Sequence, residues 1–352
     1  MKKSKLLFYV AFLAIFISSC SDDNGGPEEP KGDYENGYFV TNEGPFQNGT
    51  GTITFVENGG PVSQNVYKSV NGEDLGNIVN SMYLANDKGY IVVNNSNKVV
   101  VVNRYTMVKE AVINGDNINN PRYFVTGNGK GYISNWGDPL NTEDDFITVI
   151  SLIDNNILAT IPVGEGPERM LFNSGNLFVC LQGGYGQNNK VVVINTDNNS
   201  VQEELTVGDV PNSIVLDNNS DIWVLCQGKP AYTGDETKGS LFKIEDGTNA
   251  ISSIEFTTIQ HPTLLNYESD DLYYNLDGKV FRFGIDESEL PTEAVAGLDG
   301  YHYSMNIESG ELYATDAGDY ASEGSLKVFN LVSGDLMQTI TTGIIPGQVV
   351  FP

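Results

Sequence analysis

The chain has 352 residues, with 46 acidic against 19 basic side chains and a formal charge of −27. That balance excludes binding to nucleic acid by phosphate neutralisation and leaves no basic face for anionic lipid. A hydrophobic fraction of 40% supports a core and excludes global disorder. Gly and Asn each occur 38 times, a turn-rich composition, since both residues tolerate positive φ. Two His and three Cys leave little for metal, thiol or imidazole chemistry.

In chain order, Lys2, Lys3 and Lys5 precede an apolar run over 6–17 that is too short to span a bilayer and suits a secretion signal. Ile17-Ser18-Ser19-Cys20 resembles the bacterial lipoprotein cleavage box. The resemblance implies removal of residues 1–19, lipidation of Cys20 and a mature charge of about −30 once three Lys are lost. Residues 20–36 carry Asp22, Asp23, Glu28 and Glu29 among Gly and Pro, and read as a flexible acidic tether. Acidic residues directly after the lipidated Cys resemble the signal that sends some lipoproteins to the outer face of the outer membrane, with the periplasmic face as the alternative. Cys180 and Cys226 fall in strand-like runs one repeat position apart. They are expected on opposite sheet faces, unpaired, as small buried hydrophobes.

From residue 37 onward one strand signature recurs at 37–44, 89–96, 131–137, 176–183, 221–228, 271–278 and 311–318. A second β-rich run follows each, at 52–56, 98–102, 147–152, 190–194, 240–244, 279–283 and 325–329. A third strand then leads to a loop carrying Pro121, Pro167, Pro211, Pro262 or Pro346, and a fourth short run comes next. No 3.6-residue periodicity of helical length appears beyond the leader. The expected fold over 37–352 is therefore an all-β, seven-bladed β-propeller with four antiparallel strands per blade. The run at 347–351 has no strands after it, and the first signature has no inner strand before it, so the C-terminal strand is expected to complete the first blade.

Tyr38-Phe39-Val40-Thr41-Asn42 and the stretch from Ile147 to Pro167, with Ile161-Pro162-Val163-Gly164, resemble the YVTN-type (YncE-like) propeller repeat. The resemblance covers 37–352 and speaks to fold more than to activity.

In a four-strand meander the loops entering the inner strand and the loops between the second and third strands share one face, here called the rim face. Its candidates from the inner-strand loops are Asn80, Arg122, Arg169, Asn212, His261, Tyr301, His302 and Gln348. The other loops supply Asn42, Glu43, Phe46, Asn94, Asn95, Asn135, Trp136, Gln182, Tyr185, Gln227, Lys229, Tyr232, Asn275, Asp316 and Tyr320. Aromatics offer rigid contact area and amides both donate and accept, which suits a large polar ligand with flat apolar parts. Asn after a strand also serves as a turn former, and Arg122 and Arg169 also suit bridging between blades. His261 and His302 are too few for a closed metal site.

No nucleophile elbow, His-Glu-x-x-His or phosphate-cradling Gly-Lys-Ser/Thr is present, so no catalytic residues and no required cofactor or metal are expected. Acidic residues are plentiful, and a hydrolase or lactonase stays as an alternative. Lipoprotein signal, acidic tether and propeller together resemble the surface lipoproteins that capture cobalamin (vitamin B12). That resemblance implies a corrinoid ligand and a TonB-dependent outer-membrane transporter as partner. A glycan-binding or adhesive surface lipoprotein is the second reading, with Trp136, Tyr185 and Tyr232 stacking on sugar rings.

Overall fold

The computed structural model describes residues 30–46, 49–138 and 140–352. The leader, Cys20 and most of the tether lie outside the described residues. Seven antiparallel sheets form seven blades. The first blade takes Pro346–Val350 as its innermost strand, then Gly37–Asn42, Thr52–Glu57 and the short Val62–Ser63. The fourth blade shows the full unit: Pro167–Asn173, Asn176–Leu181, Lys190–Asn195 and Ser200–Thr206, in that order outward. The seven innermost strands pack each against the next in a closed ring.

Closure uses Phe39 opposite Val350 and Val40 opposite Val349, with a register shift before Asn42 meets Pro346. It joins the two ends of the domain in one sheet, which removes the open edge. The core lies between blades as seven apolar clusters, one for each neighbouring pair. Second and third strands are therefore covered on both faces and read as unbroken apolar runs. Val99, Val100, Val101 and Val102 are an example, all buried.

Two departures from the sequence reading have local causes. A six-residue helix, Val66–Asn71, follows the short outer strand of the first blade and buries Val66 and Tyr67. It is too short to leave a periodic signal. The sixth blade has three strands, Thr263–Glu268, Asp271–Leu276 and Lys279–Gly284. Beyond them the chain runs through acids and Pro291, which form no outer strand. One bond, from Val295 N–H to the Val280 carbonyl at 2.8 Å, marks where it would have paired.

Cys180 and Cys226 are free and buried, as expected, but the reasoning needs correction. They sit on adjacent blades, so opposite faces of their own sheets meet in one inter-blade cluster. Burial raises both thiols well above their ordinary value.

Deleting residues 346–352 leaves the first blade without its innermost strand. The expected outcome is loss of the single cooperative thermal transition and protease sensitivity starting in the first blade. Retention of the full-length melting profile contradicts the closure role.

Candidate functional site

A repeated backbone clamp positions the rim. Ile78, Asn120, Gly166, Val210 and Ile345 each precede an innermost strand and each has positive φ, between 52° and 72°. For β-branched Ile and Val this conformation costs about 1–3 kcal/mol. In compensation each carbonyl accepts a backbone N–H from the loop after the second strand: Asn94, Trp136, Gln182, Gln227 and Glu43, at 2.8–3.2 Å. A bulge follows in all five strands. The bend lets the first residues of the strand line the hub.

The hub opens as a funnel of about 250 Å³ to which every blade contributes. Asn80, Arg122, Arg169, Asn212 and Gln348 line it as the sequence suggested. Tyr123, Thr263, Leu264, Tyr303 and Ser304 join them, as does Glu43 from the first blade.

Most of these polar groups tie one blade to the next. Asn80 Nδ2 donates to the Arg122 carbonyl at 2.6 Å, and Asn212 Nδ2 to the Pro262 carbonyl at 3.0 Å. Gln348 Oε1 accepts from Met82 N–H at 3.1 Å. Arg122 Nε donates to Glu168 Oε1 at 2.9 Å, and its guanidinium lies 4.3 Å from the ring centre of Trp136. Tyr303 O–H donates to Glu43 Oε1 at 2.7 Å. Burial raises both carboxyls; Arg122 and Arg169 offset this only in part at Glu168, as do the Tyr303 hydrogen bond and Arg122 at Glu43.

Arg169 is the exception. Its guanidinium stacks 4.7 Å from the Tyr123 ring centre and has no ion pair or hydrogen bond among the described residues. The funnel thus presents five guanidinium donors free for an acceptor, beside the uncommitted Gln348 amide nitrogen.

Other expected rim residues are placed differently. Asn42 and Asn135 are buried, because each staples two strands of its own blade to the segment arriving from the preceding blade. Asn42 Nδ2 donates to Thr54 Oγ1 at 3.1 Å and its Oδ1 accepts from Gly343 N–H at 3.0 Å. Asn135 repeats this with Thr148 at 3.0 Å and Asn119 N–H at 3.1 Å. Asn94 is buried and donates to the Pro121 carbonyl at 3.0 Å. Asn275 is also buried, and its amide nitrogen has no partner among the described residues. The side chains of Asn42, Asn94 and Asn135 are thus spent on bonds within the fold.

His302 is buried and bonds the Leu298 carbonyl at 3.1 Å, while His261 bonds the Gln227 carbonyl at 3.0 Å and Glu236 at 3.1 Å. Each ring is therefore held by its own partners rather than aimed at a shared ligand. Among the described residues no group of three His, Cys, Asp or Glu is placed to hold a metal. Trp136 is half-buried beneath Arg122, so its ring face is taken. Asp316 pairs with Lys327 at 3.1 Å, and Asn95 donates to Asn77 Oδ1 at 2.6 Å. Gln182 and Gln227 are half-buried beside the clamps. Phe46, Tyr185, Tyr232, Tyr301 and Tyr320 are the exposed aromatics among the described residues, and Tyr301 shares a hydroxyl contact with Tyr320.

The sequence reading missed Glu168, Tyr123 and Tyr303. A Pro opens the strand in the third and fourth blades, and counting from it finds Tyr123 and Glu168. The seventh blade lacks that Pro, which is why Tyr301 and His302 stood in for Tyr303.

Comparisons with known proteins place the chain in a family. The family model described as "Domain of unknown function (DUF5074)" matches residues 36–341, and the chain belongs to that family. No curated protein matches it. Among solved structures it is similar to a quinonprotein alcohol dehydrogenase-like protein of Bacteroides thetaiotaomicron, at 15% identity and a TM-score of 0.67, covering 90% of this chain and 78% of that one. It is also similar to apo AztD of Citrobacter koseri, at 12% identity and a TM-score of 0.54, covering 89% and 97%. At such identities the likeness concerns the fold alone.

Two predictions follow from the geometry. Glu168→Ala strands Arg122, whose side chain is 21% exposed, against 4% for Glu168. The expected loss is at the low end of the about 3–5 kcal/mol typical of a broken buried pair. Chemical denaturation measures it, and a loss under about 1 kcal/mol contradicts the pairing.

Asp145, buried at the end of the 136–145 loop, accepts from Gly166 N–H at 2.6 Å. Burial, with Asp144 and Glu165 adding to it, pushes its carboxyl from 3.8 up to about 7. The folded state holds this proton where the unfolded chain has released it, so stability is highest below pH 4 for this group and falls as pH rises to about 7. The loss is at most about 4 kcal/mol. Asp145→Asn is expected to flatten that part of the stability–pH curve, and an unchanged slope contradicts the assignment.

Proposed function

We propose that this protein is a non-enzymatic ligand-capture lipoprotein that binds cobalamin or a related corrinoid across the mouth of the funnel and passes it to a TonB-dependent outer-membrane transporter. The observation that carries the reading is the uncommitted guanidinium of Arg169 in a funnel lined by amides, beneath a rim with exposed aromatics. A corrinoid offers amide arms and a phosphodiester as acceptors, and a flat ring system and benzimidazole for aromatic contact. The funnel is too small to enclose it, so the ligand would lie over the opening with one arm inserted.

The opposite face supports the same reading. Tyr34 N–H donates to the Tyr105 carbonyl at 2.9 Å, in the turn between the third and fourth strands of the second blade. Its ring packs edge-on against Phe55 at 5.1 Å. The chain thus leaves toward the tether from the face away from the rim. With Cys20 lipidated in the outer membrane, the funnel mouth would stay free for ligand and transporter.

Exposed Tyr185 and Tyr232 favour a second reading, a surface glycan binder, although Trp136 cannot join them. Titration calorimetry with cyanocobalamin separates the two. Saturable one-to-one binding is expected, and Arg169→Ala should lose about 1.5–3 kcal/mol, or about tenfold to a hundredfold in Kd. Absence of cyanocobalamin binding together with retention on a polysaccharide affinity gel abolished by Tyr185→Ala and Tyr232→Ala reverses the ranking.

A further inference from the structure

Where the sixth blade lacks its outer strand, a cavity of about 620 Å³ lies between it and the fifth blade, away from the funnel. Its wall is aromatic. Tyr274 stacks on Phe281 with ring centres 5.6 Å apart and 9° between planes, and meets Phe256 edge-on at 5.6 Å. Leu276 and Leu290 complete the apolar part. Residues 288–292 line the cavity from a segment, 285–299, that forms no strand.

Two features mark this space as more than a packing gap. Tyr274 is 1% exposed, lines the cavity, and its hydroxyl has no hydrogen-bond partner among the described residues. A polar ligand group placed beside this hydroxyl would give it a partner. Glu255 and Glu289 also line the cavity, neither has an ion pair among the described residues, and no Lys or Arg does so. The charge therefore selects against anions, while the aromatic wall favours a flat cation.

We propose that this inter-blade cavity is a second binding site, taking a small planar aromatic amine whose ring lies against Phe281, beside the Tyr274 hydroxyl, and whose ammonium faces Glu255 and Glu289. The Tyr274 hydroxyl accepts from, or donates to, a polar group on the ring. The site is independent of the funnel and of any corrinoid bound there.

Three probes sharing one indole ring test it on the full chain by titration calorimetry: tryptamine (cation), tryptophol (neutral) and indole-3-acetate (anion). Tryptamine is expected to bind best, at least about tenfold tighter than indole-3-acetate. Tyr274→Phe keeps the packing and should weaken tryptamine about fivefold, and Glu255→Gln with Glu289→Gln should erase the preference for the cation. Arg169→Ala should change none of these values. No saturable tryptamine binding, or binding indifferent to probe charge and to all three substitutions, overturns the proposal. Melting curves of each variant confirm that folding is intact, and Thr257→Trp, an exposed lining residue, provides a second block of the cavity that spares the core.

Discussion

The pairing of Val350 and Val349 with Phe39 and Val40 holds the architecture shut. Each blade buries its second and third strands only because another blade covers each face. An open string of seven sheets would leave two apolar faces in water, those now joined around Tyr38, Val40, Tyr313, Leu326 and Val349. Burial is worth roughly 25 cal/mol per Å² of apolar surface, so closure stabilises every blade through its neighbours. The hub geometry inherits this constraint, since the seven innermost strands can line one funnel only as a complete ring.

The hub itself shows how polar groups are spent. Asn80, Asn212, Gln348 and the Arg122–Glu168 pair tie successive inner strands together. Between the fourth and fifth blades the equivalent tie is made far from the mouth, by Asn173 Nδ2 donating to the Ser220 carbonyl at 3.1 Å. Arg169 is thereby released from structural duty at the one place where its guanidinium faces the opening. A charged group left without a partner is where a ligand gains most, because binding supplies a charge-assisted bond without breaking another.

The sevenfold repeat, its strand boundaries and its closing strand were legible because doubly covered strands leave unbroken β-rich runs separated by Asn- and Gly-rich turns. Ser174 and Gly175, with φ of 49° and 82°, show the turn conformation that this composition provides. The site was legible only in part. Alignment by repeat put Asn80, Arg122, Arg169, Asn212 and Gln348 at the hub. It did not tell a surface amide from an internal staple: Asn42 and Asn135 point into Thr54 and Thr148 on the next strand, a pairing set by register rather than by residue type. The Arg122–Glu168 pair joins residues 46 apart, so its formation depends on how adjacent blades are offset. The missing outer strand of the sixth blade shows in the sequence only as acids and a proline where β-formers would stand.

The most direct measurement of the central claim is the position of the ligand itself. Diffraction from the protein crystallised with cyanocobalamin should show one corrinoid over the funnel mouth, with an acceptor oxygen within hydrogen-bonding distance of the Arg169 guanidinium. A corrinoid seated anywhere else, or a funnel left empty at saturating cyanocobalamin, contradicts the account.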